Sequence, residues 1–418
     1  MLPLPKNDPH DRVISAASII GQLTNGKVES IEVAGTQVPQ ITGDLWTAKQ
    51  RTASSLHEIS YRACFKPQLP RFFIERLTVQ GGTVYDPFSG RGTTPLEAAL
   101  MGREIISNDA NPLSTILGRP RVMPPDLESI SDRLDRIDLE EGSDSDIDLS
   151  MFYHRKTERE IVSLRTYLEG RRVDSTEDPV DSWIRMVATN RLTGHSPGFF
   201  SVYTLPPNQA ASPSSQSRIN ALKGQVPPYR DVKALILRKS RRLLKDVDPE
   251  TRANMTRIGR RGMFLEDDAA STEAIGPSTV DLTVTSPPFL NIVQYRQDNW
   301  LRSWFNSLDA DDVAKRLKIV NSVKTWTSYM ERVFRELERI TRPGGFLAFE
   351  VGEVRKGTVR LEETVAPLGA RTGWSLIAIL LNVQRFTKTS NIWGVDNNKK
   401  GTNTNRIALF RKTPDRAS

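Results

Sequence analysis

Cysteine and histidine are scarce in this sequence, and long apolar runs are missing. Its 418 residues include one cysteine, Cys64, and four scattered histidines, without the spacing of zinc ligands. An internal disulfide framework is excluded, and carboxylate-bound magnesium is the metal chemistry left open. No apolar run approaches the roughly 20 residues of a membrane span, and the opening MLPLPKNDPHDR lacks the apolar region of a signal peptide. We therefore expect a cytoplasmic protein without a membrane partner.

The sequence has instead an excess of basic residues. The formal net charge is +8 and the isoelectric point is about 9.5. This balance favours a polyanionic partner or an acidic membrane surface. A basic surface that binds no partner is the alternative, and composition alone does not choose between them.

Regular α/β rhythm begins after a mixed, loop-rich lead-in over residues 1–45. Residues 46–77 have a helical pattern with an apolar face. The stretch GGTVYDPFSGRGTT (81–94) predicts a short strand, a glycine-rich turn and the start of a helix. The helix continues over 95–103, and a second strand follows at 104–110. A strand, turn, helix and strand in this order open a doubly wound α/β sheet.

The α/β rhythm stops near residue 120, where an insertion begins. Residues 126–148 hold ten acidic residues and two arginines, which predicts a solvated helix or a partly disordered linker. Residues 151–195 look helical. Residues 196–230 form a long irregular stretch, and such loops in compact domains are usually functional or disordered. Residues 218–261 are basic, with thirteen Lys or Arg against four Asp or Glu.

Strands and helices alternate again after the insertion. A strong helix is expected at 327–345. The strands expected in this part of the chain lie at 261–269, 280–289, 346–354, 375–386 and 406–412. The fold class is thus α/β, a Rossmann-like doubly wound sheet with a largely helical and loop insertion.

This organisation sets the expected domain boundaries. Residues 1–120 hold the lead-in and the first half of the α/β domain, and residues 255–418 hold its second half. Residues 121–254 are the insertion.

The glycine-rich turn DPFSGRGTT lies between a strand and a helix. Gly90 and Gly92 let the backbone approach a ligand closely, and the helix N-terminus offers free N–H groups and a partial positive charge. Asp109 closes the second strand, where an acid can accept hydrogen bonds from a ribose. The turn is neither a G-x-G-x-x-G nor a Walker A loop. A nucleoside without a pyrophosphate therefore fits best, with S-adenosylmethionine as the leading candidate and a purely structural turn as the alternative.

A second feature is the run VDLTVTSPPF (280–289), which ends in two prolines and an aromatic residue. Prolines often end strands, so a structural stop is one explanation. The other is a rigid pocket for a flat, polar ring.

Together these stretches resemble the amino-group DNA methyltransferases, which modify cytosine N4 or adenine N6. DPFSGRGTTPLEAALMGR is similar to the family's cofactor motif, and TSPPF to its catalytic motif. HEISYRACFKPQLPRFFIERL (57–77) is similar to the segment that closes over the methionine part of the cofactor. The resemblance implies a mostly parallel methyltransferase sheet with an antiparallel strand near the C-terminus. The serine form of the catalytic motif is most often associated with cytosine N4 enzymes, and the Asp-Pro-Pro-Tyr form with adenine N6 enzymes.

The resemblance also implies the residues of the site. Those expected to bind S-adenosylmethionine are Phe65, Lys66, Asp86, Phe88, Gly90, Gly92, Thr93, Asp109 and Asp268, with Asp267 as an alternative to Asp268. Those expected in catalysis are Ser286, Pro287, Pro288 and Phe289.

The chemistry of an exocyclic amine explains the catalytic set. Its lone pair is delocalised into the ring, and hydrogen-bond acceptors facing its hydrogens favour a tetrahedral nitrogen. Ser286 Oγ and the Pro287 carbonyl can be these acceptors, because two prolines fix the backbone. Phe289 offers a stacking face worth about 1–3 kcal/mol, and the target base must flip out of the duplex to reach it. Cytosine C5 methylation is not expected, because Cys64 lacks the Pro-Cys setting of the nucleophile that this reaction needs.

Double-stranded DNA is the implied partner, and a cognate restriction endonuclease is a further hypothesis. The candidates for contacts with DNA phosphates are Arg238, Lys239, Arg241 and Arg242. The amides able to read base edges are Asn208, Gln209, Gln216, Asn220 and Gln225. Target recognition by the insertion is a hypothesis, because its position fits no class order of the family neatly. Methylation of adenine N6 in DNA, methylation of RNA, and a non-enzymatic binding module stay open as alternatives.

Overall fold

A computed structural model describes most of the chain. It covers residues 16–23, 26–46, 53–62, 64–139, 142–207, 209–288, 295–316, 322–351, 353–354, 359–383 and 404–413. The α-helices are α1 (Ala16–Leu23), α2 (Gln68–Leu77), α3 (Thr93–Leu100), α4 (Leu113–Val122), α5 (Leu127–Arg136), α6 (Arg155–Val173), α7 (Pro179–Arg191), α8 (Pro213–Lys223), α9 (Val232–Leu243), α10 (Pro249–Arg261), α11 (Tyr295–Phe305), α12 (Ala310–Arg316), α13 (Val323–Ile340) and α14 (Leu361–Arg371). The strands are β1 (Lys27–Val33), β2 (Thr36–Gly43), β3 (Thr83–Asp86), β4 (Glu104–Asn108), β5 (Met263–Leu265), β6 (Val280–Thr285), β7 (Thr341–Glu350), β8 (Glu353–Val354), β9 (Val359–Arg360), β10 (Trp374–Val383) and β11 (Thr404–Lys412).

One large sheet organises these elements, with the strand order β1-β2-β10-β11-β7-β6-β3-β4-β5. The five strands from β7 to β5 are mutually parallel, and β11 is antiparallel to both of its neighbours. From β3 the chain moves outward to β4 and β5 on one side and to β6 and β7 on the other. The predicted doubly wound, mostly parallel sheet with an antiparallel strand near the C-terminus is therefore confirmed. Its switch point lies between β3 and β6, and ligands of such sheets bind at the carboxyl ends of the strands there.

Buried side chains alternate between the two faces of the sheet. Val84 joins the core formed with α2, α3 and the helices of the insertion, and neighbouring Tyr85 joins the core formed with α13 and α14. Leu409 and Phe410 on β11 alternate in the same way. This period of two produces three layers, because each face of a strand needs its own helical cover.

The lead-in is more regular than the sequence indicated. The β1-β2 hairpin turns through Ala34 and Gly35, both with positive φ (49° and 79°), as a tight two-residue hairpin turn requires. Strand β2 pairs in parallel with β10 and so extends the large sheet. The available signals for this hairpin were the β-branched residues of KVESIEV and TQVPQIT and the Ala34-Gly35 pair between them.

The acidic segment 126–148, expected to be a solvated helix or a partly disordered linker, contains the helix α5. Helix α5 buries Ile130 and Leu134 in the same core as α3 and α4, while its acidic residues face outward. The charge thus occupies one face of an amphipathic helix.

The stretch 196–230, expected to be irregular, contains a helix and buried aromatic residues. Phe199 and Phe200 are buried, and the stretch contains α8, which begins with a capping hydrogen bond to Ser212. The helices over 151–195 agree with the prediction, since Leu164 and Ile184 are fully buried in α6 and α7.

Two predicted helix boundaries are wrong. Among the described residues of the stretch 46–77, the α-helix occupies Gln68–Leu77, after a short 3-10 turn at Ser55–His57. The helix expected over 327–345 is α13, which starts earlier and ends at Ile340, and β7 follows directly through the Pro-Gly-Gly stretch. Gly344 has a φ of 78°, so this stretch turns the chain inside the start of the strand. None of the helices within the described residues has the length and apolar character that a membrane span requires.

Candidate active site

The candidate site lies at the carboxyl ends of β3, β4 and β6, on either side of the switch point of the sheet. Asp86 is the last residue of β3, Asp109 follows β4, and Ser286 follows β6. Three residues far apart in the sequence thus meet at one edge because their strands are parallel neighbours.

The glycine-rich turn after β3 needs its glycines. Gly90 and Gly92 both have positive φ, 53° and 74°. A Cβ on Gly92 would lie 3.0 Å from the Cα of Gly118 on α4, and the glycine caps the N-terminus of α3. The turn therefore packs closely against α4 and leaves the first N–H groups of α3 pointing towards the crevice.

Asp109 ties this turn to the end of β4. Its Oδ2 accepts a hydrogen bond from Gly90 N at 2.8 Å, and its Oδ1 accepts one from Asn111 N at 2.9 Å. Desolvation raises the pKa of Asp109 to about 6, and the two backbone donors lower it. The amide of Asn111 donates to Tyr61 Oη at 3.2 Å, which brings Tyr61 to the same place.

Whereas Asp109 is partly exposed, Asp86 is fully buried. Its Oδ1 accepts hydrogen bonds from Thr285 Oγ1 at 2.7 Å and from Phe88 N at 3.1 Å. Burial raises the pKa of Asp86 to about 7. The Asp86 side chain joins the end of β3 to the end of β6, so it fixes the glycine-rich turn relative to the Ser-Pro-Pro corner.

The two aspartates that follow β5, Asp267 and Asp268, make different contacts. Asp268 accepts from Tyr329 Oη at 2.7 Å and pairs with Arg332 at 3.3 Å. The backbone of Asp267 is bound to the Asn108 side chain, by N–H donation at 2.9 Å and carbonyl acceptance at 3.1 Å. Asn108 also donates to Pro87 O at 3.3 Å, so this one amide fixes both loops that border the crevice.

The remaining residues predicted for the cofactor lie around the turn. Thr93 is buried at the start of α3, where its hydroxyl accepts from Arg91 Nε at 3.2 Å. Phe88 is half-buried and packs against the core formed with α13 and α14. Phe65 is half-buried and packs against the core on the other face of the sheet, formed with α2 and α3. Burial, and then the charge of Arg91, lowers the pKa of Lys66.

The Ser-Pro-Pro corner is fixed from α13. Pro287 is buried and Ser286 half-buried, and Trp326 Nε1 donates to the Pro288 carbonyl at 3.1 Å. The prediction for Phe289 falls outside the described residues. The hydrogen bond from Trp326 thus fixes the Pro288 carbonyl against α13.

Glu350 is a residue of this site that the sequence reasoning missed. It ends β7, and because Thr285 pairs with Phe349 in the parallel register, Glu350 lies beside Ser286. Its carboxylate accepts hydrogen bonds from the Ser286 hydroxyl and, at 2.6 Å, from the Asn405 amide. Desolvation raises the pKa of Glu350 in spite of these two donors. The available signal was a lone acid at the carboxyl end of the otherwise apolar strand FLAFE.

Residues 55–62, here called the connecting segment, run along the glycine-rich turn. The donors to its carbonyls are Arg121 to Leu56, Arg91 to His57 and Ile59, Lys239 to Glu58, and Asn190 with Arg302 to Ser60. All five donor residues are buried. They come from the turn, the insertion and α11, so the segment joins the insertion to the candidate cofactor site. Tyr61 lies within it, and its ring would be 3.7 Å from a Cβ on Gly90.

The four basic residues predicted for DNA contacts do not share one surface. Arg238, Arg241 and Arg242 are exposed on α9, whereas Lys239 is 8% exposed and donates to Glu58 O. Arg242 forms an ion pair with Glu58. Lys239 occupies a core position of the helix, which its spacing from Leu235, Ile236 and Leu243 already indicated.

The described side-chain amides of the stretch 196–230 form hydrogen bonds with other residues of the chain. Gln216 and Gln225 donate to Tyr203 O at 3.0 and 2.8 Å, and Asn220 donates to Met151 O at 2.8 Å. Gln209 accepts from Arg62 at 3.3 Å. Asn208 falls outside the described residues. These four described amides thus have structural partners within the chain.

Two comparisons of sequence bear on this site. Residues 17–113, which end just after Asp109, match the family model N6_N4_Mtase, described as DNA methylase. The type II methyltransferase M.MjaII of Methanocaldococcus jannaschii is 32% identical over 88 residues, which span 21% of this chain and 16% of that protein. The matched stretch is therefore a small part of that relative's length.

The solved structures that match the chain, at low structural similarity, include two with methyltransferase descriptions. A candidate DNA modification methylase of Thermus thermophilus, solved in complex with S-adenosyl-L-methionine, is 20% identical with a TM-score of 0.22, covering 36% of this chain and 56% of that chain. A SAM-dependent methyltransferase of Methanosarcina mazei is 10% identical with a TM-score of 0.32, covering 82% of this chain and 98% of that chain. The doubly wound α/β fold is assigned from the strand order of the chain's own sheet. The matches around the glycine-rich turn make this part of the chain similar to the N6/N4 DNA methylase family.

Proposed function

We propose that the protein transfers the methyl group of S-adenosylmethionine to the exocyclic N4 of a cytosine flipped out of DNA. The observation that carries this proposal is the pairing of Ser286 with Glu350 at the carboxyl ends of β6 and β7. This pair lies beside the crevice formed by the glycine-rich turn and Asp109. A methyl donor and an amine acceptor can therefore meet at the switch point of the sheet.

The residues of the crevice fit the cofactor. Gly90 and Gly92 form a cradle that a Cβ at either position would strain, since both have positive φ. Asp109 presents a carboxylate with acceptor capacity beyond its two backbone donors, suited to ribose hydroxyls. When bound, S-adenosylmethionine supplies an electrophilic methyl group on a sulfonium centre.

The Ser286–Glu350 pair prepares the amine of the target base. Because the Ser286 hydroxyl donates to Glu350, the free lone pairs of Ser286 Oγ can accept from one amine hydrogen. The Pro287 carbonyl can accept from the other. The nitrogen lone pair then forms the new N–C bond while the S–C bond breaks and its electrons stay on sulfur. The proton lost from nitrogen moves along Ser286 Oγ to Glu350, whose raised pKa suits it as an acceptor.

The choice of cytosine N4 rests on the serine form of the motif and on the resemblance that it carries. Adenine N6 in DNA is the second candidate, because the same acceptors suit any exocyclic amine. A cognate restriction endonuclease, with a role in restriction-modification, stays a hypothesis from the resemblance alone.

The insertion, residues 121–254, is proposed as the region that recognises the target. Its helices α7 and α9 reach the connecting segment through Asn190 and Lys239. The segment in turn lies against Gly90 through Tyr61. Contacts of the insertion with DNA would therefore be made close to the crevice.

Methylation of plasmid DNA with isotope-labelled cofactor, followed by mass spectrometry of the nucleosides, tests this function. The expected product is N4-methylcytosine. Labelled N6-methyladenine would replace the first candidate with the second. Label in RNA offered in a parallel reaction, with none in the plasmid DNA, would reject both.

A further inference from the structure

The insertion contains an arginine pair that no part of the proposed reaction uses. Arg191 ends α7 and is 8% exposed, and Arg238 is exposed on α9. A Cβ built on Gly198 would lie 4.0 Å from one terminal nitrogen of Arg191 and 3.8 Å from one of Arg238. Both guanidinium groups therefore lie at the Ser196-Pro197-Gly198 turn, close enough to share one small ligand.

The contacts of Arg191 with other described residues orient its guanidinium group but include no acidic side chain. Its Nε and one terminal nitrogen donate to the backbone and side chain of Asn190 at 3.1 and 2.9 Å. Its Cζ lies 3.9 Å from the centre of the Phe199 ring. All of these partners are neutral, so they orient the guanidinium without neutralising it.

Arg238 is held in a similar way. It donates to the Pro197 carbonyl at 3.1 Å. Among the residues that the structure describes, neither Arg191 nor Arg238 has a carboxylate within ion-pair distance, whereas Arg242, one turn further along α9, is paired with Glu58.

Further positive charge surrounds the pair. Burial and then Arg242, Arg238 and Arg302 lower the pKa of Arg191 to about 9. Two guanidinium groups at one turn, neither with a carboxylate partner among the described residues, suit an anion as the missing partner. Guanidinium groups bind phosphate oxygens with favourable geometry and charge-assisted hydrogen bonds.

We propose that Arg191, Arg238 and the turn 196–198 form a docking site for one phosphate of the DNA backbone. The site rests on the proposed function, which supplies DNA as the substrate. Asn190, adjacent to Arg191, donates to Ser60 O in the connecting segment at 2.9 Å. A phosphate bound here would thus anchor the duplex beside the segment that borders the crevice, independently of base sequence.

Salt dependence of DNA binding tests the docking site. The full-length chain is titrated onto a labelled duplex of random sequence over a series of KCl concentrations. Arg238→Gln should weaken binding about fivefold near physiological salt and lower the slope of log K against log salt by about 0.9, the effect of one phosphate contact. Arg191→Gln should do the same, while Arg191→Lys, which keeps the charge, should retain most of the slope.

Arg335→Gln is the matched control. This exposed arginine on α13 is paired with Glu331 and lies on the opposite face of the sheet. Its loss removes the same charge and should leave the slope unchanged. An equal change of slope in Arg335→Gln and Arg238→Gln, or none in Arg238→Gln, would overturn the docking site.

Methyl transfer by the wild-type chain, measured in parallel, separates the two proposals. Normal methylation with an unchanged slope in Arg238→Gln rejects the docking site alone. A reduced slope with no methylated base in any DNA supports the docking site and rejects the proposed function. Arg238→Gln should fold normally, because its side chain is exposed, and a thermal melt checks this.

Discussion

The backbone N–H of Gly90 donates a hydrogen bond to Oδ2 of Asp109, with 2.8 Å between nitrogen and oxygen. This bond joins the turn after β3 to the residue that follows β4. It fixes the position of the glycine-rich turn relative to the Asp109 side chain. Turn and acid therefore act as one unit, and both should matter for cofactor binding.

Replacing Asp109 by asparagine should weaken S-adenosylmethionine binding about 10- to 100-fold, the worth of hydrogen bonds to a charged group. The pKa of Asp109 is raised to about 6, so its carboxylate is charged above that pH and becomes neutral below it. Wild-type affinity should therefore fall as the pH drops from 7 to 5, and the gap between wild type and Asp109→Asn should narrow. Calorimetric titration at several pH values measures this, and a constant gap would contradict it.

Ser286→Ala should retain cofactor binding and lose about 10²–10³-fold in kcat, as when one catalytic hydrogen-bonding group is removed. Glu350→Gln should cause a loss of similar size, because it removes the proton acceptor and the group that orients the Ser286 hydroxyl. Single-turnover methyl transfer measures both. Ser328→Ala, which removes an exposed serine on α13, is the control. Full activity in Ser286→Ala would show that the catalytic assignment is wrong.

Lys239→Met should destabilise the fold by about 1–3 kcal/mol, because it leaves the Glu58 carbonyl without its donor. Burial lowers the pKa of Lys239 to about 7. Between pH 7 and 10 the unfolded chain binds a proton there that the folded chain does not, so raising the pH favours the folded state. The stability advantage of wild type over Lys239→Met should therefore grow from pH 7 to 9 in urea titrations. Lys245→Met, at an exposed lysine just after α9, should show no such trend.

Gly92→Ala should cost about 1–3 kcal/mol of stability, because alanine is strained at a φ of 74° and its Cβ would meet the backbone of Gly118. Cofactor affinity should fall with it. Gly170→Ala provides the contrast, since that glycine is exposed inside α6 with open space around it. It should stabilise the chain by about 0.5–1 kcal/mol. Thermal melts of both variants compare the two, and a harmless Gly92→Ala would reject the close packing of the turn.

The sequence predicted the features that depend on local pattern. Gly90, Gly92 and Asp109 follow from a strand, a turn and a helix in succession, and the structure brings them together at one edge of the sheet. The buried stripe of α13, including Met330 and Leu337, follows from helical periodicity.

The features that the sequence did not predict depend on contacts between distant parts of the chain. Glu350 lies beside Ser286 only because β7 pairs with β6 in one particular register. Lys239 looked like one of four surface cations because a run of basic residues obscured the apolar spacing of α9. The hairpin formed by β1 and β2 gains stability from its parallel pairing with β10, far along the chain.

The sequence by itself therefore determined the succession of strands and helices, the glycine-rich turn and the position of the Ser-Pro-Pro corner, because the residues of each of these features are neighbours in the chain. Only the tertiary structure decided which acid accepts the hydrogen bond from the Ser286 hydroxyl, which cations are buried and how the insertion is attached. Those outcomes depend on which distant strands and helices become neighbours. That choice is made by burial of apolar area over the whole domain rather than by any short stretch.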